Sequence, residues 1–315
     1  MTGQTGGRHV VILMGLLNGG RWIDTQLASI AAQDHQDWSL LVGDDGSSDD
    51  GPARIRDFAR AHPGHDVALM PGPGGGFARN FLSLIEASAT TPRATLALSD
   101  QDDEWLPERL SRGLAALDAE GSGPTLYCGR TIVCTNDLRA LHVSPLWSRP
   151  FSLQNALVQN VASGNTIMMN PEMAALARAA APQAAAAGIV AHDWWLYQLA
   201  TACGARVVQD SQPVLRYRQH AGNTMGRNDT ARARLARIRQ IHNGTFARWI
   251  DANRTALAGA SPRLHPAAHD LLIAFHALRH PASHGRLTGL RQTGLYRQTQ
   301  MGDRALWWAT TIGRL

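Results

Sequence analysis

Apolar and polar positions fall in short alternating blocks through the first third of the chain. Val10 to Met14 predicts a first strand, and after Asn18-Gly19-Gly20 the apolar Ile23, Leu27 and Ile30 recur at helical spacing. Trp38 to Val42 predicts a second strand. Asp49 or Asp50 can cap a helix through Ile55, Phe58 and Ala59, and Val67 to Met70 returns as a third strand. The segment Pro71-Gly72-Pro73-Gly74-Gly75-Gly76 excludes regular structure and opens a helix over Phe77 to Glu86, after which Leu96 to Leu98 forms a fourth strand. The order βαβαβαβ with short connections predicts a parallel sheet with helices on both faces.

Beyond Leu106-Pro107 a helix runs to about Asp118, Leu126 to Val133 reads as a strand, and regular alternation stops near residue 135. Pro171 to Ala187 predicts an Ala-rich helix, and a further helix opens at His192 and runs to Thr201. Val207-Val208 and Val214 to Tyr217 read as two short strands. From Thr230 the pattern is helical, punctuated by Pro262, Pro266 and Pro281. The expected organisation is a flexible, Gly- and Thr-rich N-terminus (1–9), an α/β domain (10–229) and a basic, mainly helical C-terminal region (230–315).

Charge sharpens that division. The 315 residues carry a net charge of +5, yet residues 1–230 hold 17 Arg against 22 acids, whereas residues 231–315 hold 13 Arg against 3. No Lys occurs, so Arg in place of Lys carries no functional information. Cys128, Cys134 and Cys203 lack metal-ligand spacing, which predicts a reduced, cytoplasmic location. Met1 to His9 lacks the apolar stretch of a signal peptide, and no run of 18 apolar residues would span a membrane. The 13 histidines include no HExxH or paired spacing that would suggest zinc.

The chemistry lies at the strand ends. Ser99-Asp100-Gln101-Asp102-Asp103 follows the fourth strand, and Asp44-Asp45-Gly46-Ser47-Ser48-Asp49 follows the second. In an open parallel sheet such ends border one ligand crevice. Crowded carboxylates there require a proton or a divalent cation, and an oxygen-rich set suits Mg2+ or Mn2+ beside a phosphorylated ligand. Solvated, helix-capping turns are the alternative for either cluster alone.

A set of segments in order carries a resemblance: Asn18-Gly19, Asp44-Asp45-Gly46-Ser47-Ser48-Asp49, the glycine turn with Arg79-Asn80, Ser99-Asp100-Gln101-Asp102-Asp103-Glu104-Trp105, Ser163-Gly164-Asn165, His192-Asp193-Trp194-Trp195 and Tyr217-Arg218-Gln219-His220. Over about residues 10 to 225 the chain resembles the family 2 inverting glycosyltransferases, particularly the bacterial rhamnosyltransferase-like group. The resemblance implies a GT-A, Rossmann-like mixed sheet with helices on both faces, followed by a C-terminal helical region that it does not cover.

It also implies roles. Asp100-Gln101-Asp102 corresponds to the Asp-x-Asp motif, with Asp102 on the metal, Asp100 near the nucleotide ribose and Asp103 a supporting or alternate ligand. His220 would complete the metal or diphosphate site, Asp45 would hydrogen-bond the base, Asp44 would orient the turn, and Arg79 would reach the diphosphate. Leu17 stands where the family often has Tyr, next to Asn18. Gly164 would let backbone approach the donor sugar. Asp193, flanked by His192, would deprotonate the acceptor hydroxyl, and Trp194 and Trp195 either pack beneath the sheet or face a sugar ring.

The implied activity is metal-dependent transfer of a sugar, with L-rhamnose one candidate, from a dTDP- or UDP-sugar to a glycan or lipid-linked acceptor in surface polysaccharide synthesis. A catalytically silent nucleotide-sugar or glycan-binding module of the same fold is the alternative. In the tail, Arg232, Arg234, Arg237 and Arg239 recur on a polar helical face, with Leu235, Ile238, Ile241, Phe246, Trp249 and Ile250 opposite and Trp307-Trp308, Ile312 and Leu315 closing the chain. That pattern fits either contact with the inner face of the cell membrane or packing on the chain's own domain. No nucleic-acid-binding motif accompanies the charge.

Overall fold

The computed structural model describes residues 9–220, 239–240, 242–260, 263–280 and 285–315. Within them a mixed sheet runs in the order β3 (Val67–Pro71), β2 (Trp38–Asp44), β1 (Val10–Leu16), β4 (Thr95–Ser99), β8 (Met168–Met169), β6 (Thr125–Cys134), β9 (Arg206–Arg218) and β5 (Glu104–Trp105), with β7 (Ala140–Val143) paired to β6. The first four strands, β1 (Val10–Leu16), β2 (Trp38–Asp44), β3 (Val67–Pro71) and β4 (Thr95–Ser99), are mutually parallel, as the alternating pattern predicts. Their apolar runs are nearly continuous because helices cover both faces.

Successive side chains of β1 serve the two faces in turn. Val10, Ile12 and Met14 pack with Ile23 and Leu27 of α1 (Ile23–Ala31), Ile55 of α2 (Gly51–Ala61) and Leu110 and Leu114 of α4 (Arg109–Ala119). Val11 and Leu13 pack with Phe81 and Ile85 of α3 (Phe77–Ala87) and with α5 (Leu153–Ala156), α6 (Pro171–Ala187) and α7 (His192–Ala202). After β3 the chain crosses to the opposite side of β1 to lay down β4. The crevice at the carboxyl ends of β1 and β4 is therefore a topological switch point.

The remaining strands, β5 (Glu104–Trp105), β6 (Thr125–Cys134), β7 (Ala140–Val143), β8 (Met168–Met169) and β9 (Arg206–Arg218), make the sheet mixed. Where the sequence predicts two short strands, β9 is continuous over thirteen residues. The polar stretch between them stays extended because β6 pairs along it in parallel, and the register irregularities near Arg130, opposite Pro213, absorb the residue that cannot donate. The two-residue strands β5 and β8 are too short to carry a periodic signal.

The described C-terminal helices, Thr245–Ala258, Pro266–Arg279, Arg286–Thr293 and Gln300–Thr311, do not build a core of their own. Ile250, Leu257, Phe275, Leu278 and Leu306 join the apolar cluster of α3, α6 and α7. Polar contacts lock this docking: Tyr296 and Ser152 share a hydroxyl hydrogen bond of 2.8 Å, and Arg149 pairs with Asp303 at 2.7 Å. Residues 1–8 of the expected flexible N-terminus lie outside the described residues, as do Arg232, Arg234, Leu235, Arg237, Ile238 and Ile241 of the expected amphipathic helix. Phe246 stacks on Trp194 and Ile250 is buried, so the described part of that apolar face packs on the chain's own domain. Among the described residues no helix is long and apolar enough to cross a membrane.

Candidate active site

A cavity of about 550 Å³ opens at the switch point. Its size suits a nucleotide-sugar-sized ligand. The loop after β1 gives Leu17, Asn18 and Trp22, the loop after β4 gives Asp100, Gln101 and Asp102, and Gly164, Asp193 and His220 close it from the other half of the sheet.

Asp100, Asp102 and Asp103 each offer an oxygen within 4.8 Å of the others. The Asp102 carboxylate and the His220 imidazole, 118 residues apart, hydrogen-bond at 2.7 Å (Oδ2 to Nε2). Asp103 is fully buried: its Oδ2 accepts from the Asn165 amide at 2.6 Å and its Oδ1 from the Arg218 backbone N–H at 3.2 Å. Burial, then the neighbouring Asp102 and Asp100, hold the Asp103 pKa well above the ordinary carboxylate value. Burial first, then Asp102 and Asp193, push Asp100 up to about 7, against the opposing pull of Arg109. These carboxylates therefore carry more negative charge than their surroundings neutralise, which is the condition a divalent cation relieves. Oxygen donors beside one imidazole make a set that could hold Mg2+ or Mn2+.

Arg109, in the first turn of α4, is wholly buried, donating to the carbonyls of Leu98 (2.8 Å) and Asn165 (2.7 Å) with its guanidinium 3.4 Å from the Trp105 ring centroid. Burial lowers its pKa to about 9. Arg218 ties the acidic loop to β9 through its Nε, which donates to the Asp102 carbonyl at 2.8 Å. Gln101 pairs with both backbone polar groups of Leu17, at 2.8 and 3.0 Å, and so fixes the β1 loop against the β4 loop. Trp22, which no sequence pattern marks, stacks on His220 and donates its Nε1–H to Asn136 Oδ1 at 3.1 Å. Arg218 and Gln101 sit inside motifs quoted above, whereas Arg109 and Trp22 give no local signal.

Asp193 lines the same cavity from the first turn of α7. Its Oδ2 accepts from the Gly164 N–H at 3.2 Å and its Oδ1 from the Trp194 N–H at 2.7 Å. Burial raises its pKa to about 6, with those hydrogen bonds opposing the shift. A Cβ at Gly164 would lie 2.8 Å from His192 Nε2 and 3.3 Å from Asp193 Cβ, so glycine permits this close approach. His192 is buried flat against Phe81, with centroids 4.0 Å apart, and burial lowers its pKa to about 3. It is a neutral wall of the cavity. Trp194 is buried and its Nε1 donates to the Ala156 carbonyl at 2.7 Å, so the alternative of a sugar-facing surface gives way to packing in the core.

The glycine loop has an internal anchor. The Asp45 carboxylate accepts backbone N–H groups from Gly74 (2.8 Å), Gly75 (3.3 Å) and Gly76 (2.9 Å) while still lining the cavity. Asp44 accepts from the Ser47 N–H at 2.9 Å, and Asn18, at φ 51°, accepts from the Ser48 N–H at 2.8 Å, so both shape the turn after β2. Arg79 lies outside the central cavity: it is exposed and lines a neighbouring crevice between the glycine loop and the end of α6.

The strand order, the switch-point cavity and the acids at the end of β4 make this a GT-A nucleotide-sugar transferase fold. Residues 12–181 match the family model described as glycosyl transferase family 2, and the chain belongs to that family; it is a glycosyltransferase. It is 26% identical over 252 residues to the dTDP-rhamnosyl transferase RfbG of Shigella flexneri, covering 79% of this chain and 86% of that protein. In fold it is similar to residues 1–349 of S. aureus TarS in complex with UDP-GlcNAc (TM-score 0.55, 14% identity, 90% of this chain and 79% of that one). It is also similar to the mannosyltransferase PcManGT of Pyrobaculum calidifontis in complex with GDP-Man and Mn2+ (TM-score 0.52, 17% identity, 98% and 88%).

Proposed function

We propose that this glycosyltransferase moves a sugar, with L-rhamnose from a dTDP donor the first candidate, onto a hydroxyl of a glycan or lipid-linked acceptor, with inversion, in surface polysaccharide synthesis. The observation that carries the reading is the shared cavity: the Asp102–His220 pair lines one part of it and Asp193 another. The similarity to a dTDP-rhamnosyl transferase over most of both chains supports the choice of donor.

Asp102 and His220, with Asp100 beside them, would hold Mg2+ or Mn2+. Such a cation, when bound, neutralises charge growing on the departing diphosphate. Asp45 and Asn18 border the region assigned to the nucleotide base, since a carboxylate can accept from the imide N–H of thymine or uracil. Asp193 takes the acceptor's hydroxyl proton as that oxygen bonds to the anomeric carbon and the sugar–phosphate bond breaks on the opposite face. The Gly164 N–H fixes the direction of the carboxylate that receives the proton. The buried apolar wall of His192 and Phe81 limits competing water.

Thermal stabilisation by dTDP, UDP and GDP with and without Mn2+ tests the reading, because a ligand that binds only the folded chain raises its Tm. dTDP or UDP is expected to raise Tm, and to do so more with Mn2+. Stabilisation by no nucleotide removes the donor assignment, and equal shifts without the cation remove the metal.

A further inference from the structure

Leu287, Met301, Trp307, Trp308 and Ile312 are 37%, 69%, 39%, 41% and 40% exposed at the C-terminal end of the chain. Scattered exposed apolar residues are ordinary in soluble proteins, but a contiguous set containing two tryptophans marks an interaction surface. The helix Gln300–Thr311 turns Leu306, Ala309 and Thr310 inward. At helical spacing Met301, Arg304, Trp308 and Ile312 recur on the opposite side. Trp307 flanks them with the Arg291 guanidinium 5.2 Å from its ring, which brings helix Arg286–Thr293 and its exposed Leu287 into the same surface.

The charge on this surface has one sign. Residues 285–315 contain five Arg and a single acid, Asp303, and that acid is paired with Arg149. Arg291, Arg304 and Arg314 are exposed. An apolar face with indoles and a cationic rim is complementary to a bilayer interface that carries anionic headgroups.

We propose that this face docks on an anionic phospholipid surface, with helix Gln300–Thr311 lying in the interfacial plane. The inference deepens the lipid-linked acceptor reading of the proposed function and depends on that reading for its purpose. Of the pattern expected to meet a membrane it keeps Trp307-Trp308 and Ile312, because Phe246, Trp249 and Ile250 of the other part pack on the chain's own domain. Each arginine near an anionic leaflet contributes about a fivefold gain in partitioning, so losing two weakens binding by more than tenfold.

The full chain is mixed with vesicles of phosphatidylcholine alone or blended with phosphatidylglycerol and floated. It is expected to float with the blended vesicles, less so as salt rises, and not with phosphatidylcholine alone. Trp308→Ser with Ile312→Ser should abolish flotation, and Arg291→Glu with Arg304→Glu should weaken it more than tenfold, both leaving Mn2+-nucleotide stabilisation unchanged. Absence of wild-type flotation overturns the proposal, as do variants that float equally well. Sedimentation showing a dimer that Trp308→Ser disperses would assign the face to a second copy and overturn it as well. Failed flotation with intact nucleotide stabilisation removes this inference alone, whereas the reverse result removes the proposed donor site alone.

Discussion

The imidazole of His220 lies flat on the indole of Trp22, with ring centroids 4.0 Å apart and planes 16° from parallel. Asn136 holds both sides of this arrangement: its side chain accepts from Trp22 Nε1, and its carbonyl accepts from Arg218, whose Nε reaches the Asp102 carbonyl. Asp102 closes the circuit by hydrogen-bonding His220. Trp22 thus limits the orientations of His220 without itself offering a ligand atom.

Trp22→Ala is accordingly expected to weaken Mn2+ affinity by about tenfold, the scale seen when a group orienting a metal ligand is lost. Trp22→Phe should retain most of it, and combining Trp22→Ala with His220→Ala should add nothing to the loss from His220→Ala alone. Free Mn2+ counted by electron paramagnetic resonance reads this directly. A purely structural Trp22 would lower Tm and leave Mn2+ affinity untouched.

Asp193→Asn preserves the size of the side chain and can still accept the Gly164 N–H through its carbonyl oxygen, but it cannot take up the hydroxyl proton. Transfer should fall about 100- to 10,000-fold while nucleotide affinity, read by calorimetry, stays within a few-fold. Unchanged turnover would exclude Asp193 as the base.

The raised pKa of Asp193, about 6, sets an acidic limb on the rate. As the proposed base, Asp193 must be ionised, so kcat/KM should climb as pH rises towards 6 and level off above it. A limb near the ordinary carboxylate value of 3.8 would show that burial does not act on this group during turnover.

Asp100 works in the opposite sense on stability. Its pKa is about 7 in the folded chain against 3.8 for the free side chain, so between those values the folded state holds more protons than the unfolded one. The stabilising contribution is therefore present at low pH and is lost as pH rises through about 7. In chelator-treated protein Asp100→Asn should raise Tm at pH 8 and change it little at pH 4, as measured by calorimetry.

Gly164→Ala places a methyl 2.8 Å from His192 Nε2. The surrounding ring is buried and stacked, so overpacking should cost about 1–3 kcal/mol, and the displaced Gly164 N–H should release Asp193. Urea unfolding and kcat are expected to fall together, whereas Gly164 substitutions that change neither would show that the loop adapts freely.

How far a feature of this fold is legible in the sequence follows from how local its cause is. Apolar spacing of 2 and 3.6 residues exposes β1 to β4 and α1 to α3, because each of those segments buries one or both sides against the same sheet. The acids of the β2 and β4 ends, the glycine turn and Asp193 are also visible, since turn chemistry and helix starts depend on neighbouring residues. β5 and β8 are not, because two residues carry no period.

By itself the sequence determined the order of β1 to β4 with α1 to α3, the parallel half of the sheet and the acids that face its carboxyl edge. Only the tertiary structure brought His220 onto Asp102 across 118 residues, slid Trp22 beneath it, buried Arg109 and turned Trp194 into the core. It also gave the basic C-terminal helices the apolar cluster of α3, α6 and α7 as their core. The physical reason is the same throughout: a residue's neighbours in the chain set its local conformation, whereas burial, pairing and the resulting pKa are set by whichever distant segments the sheet order lays against it.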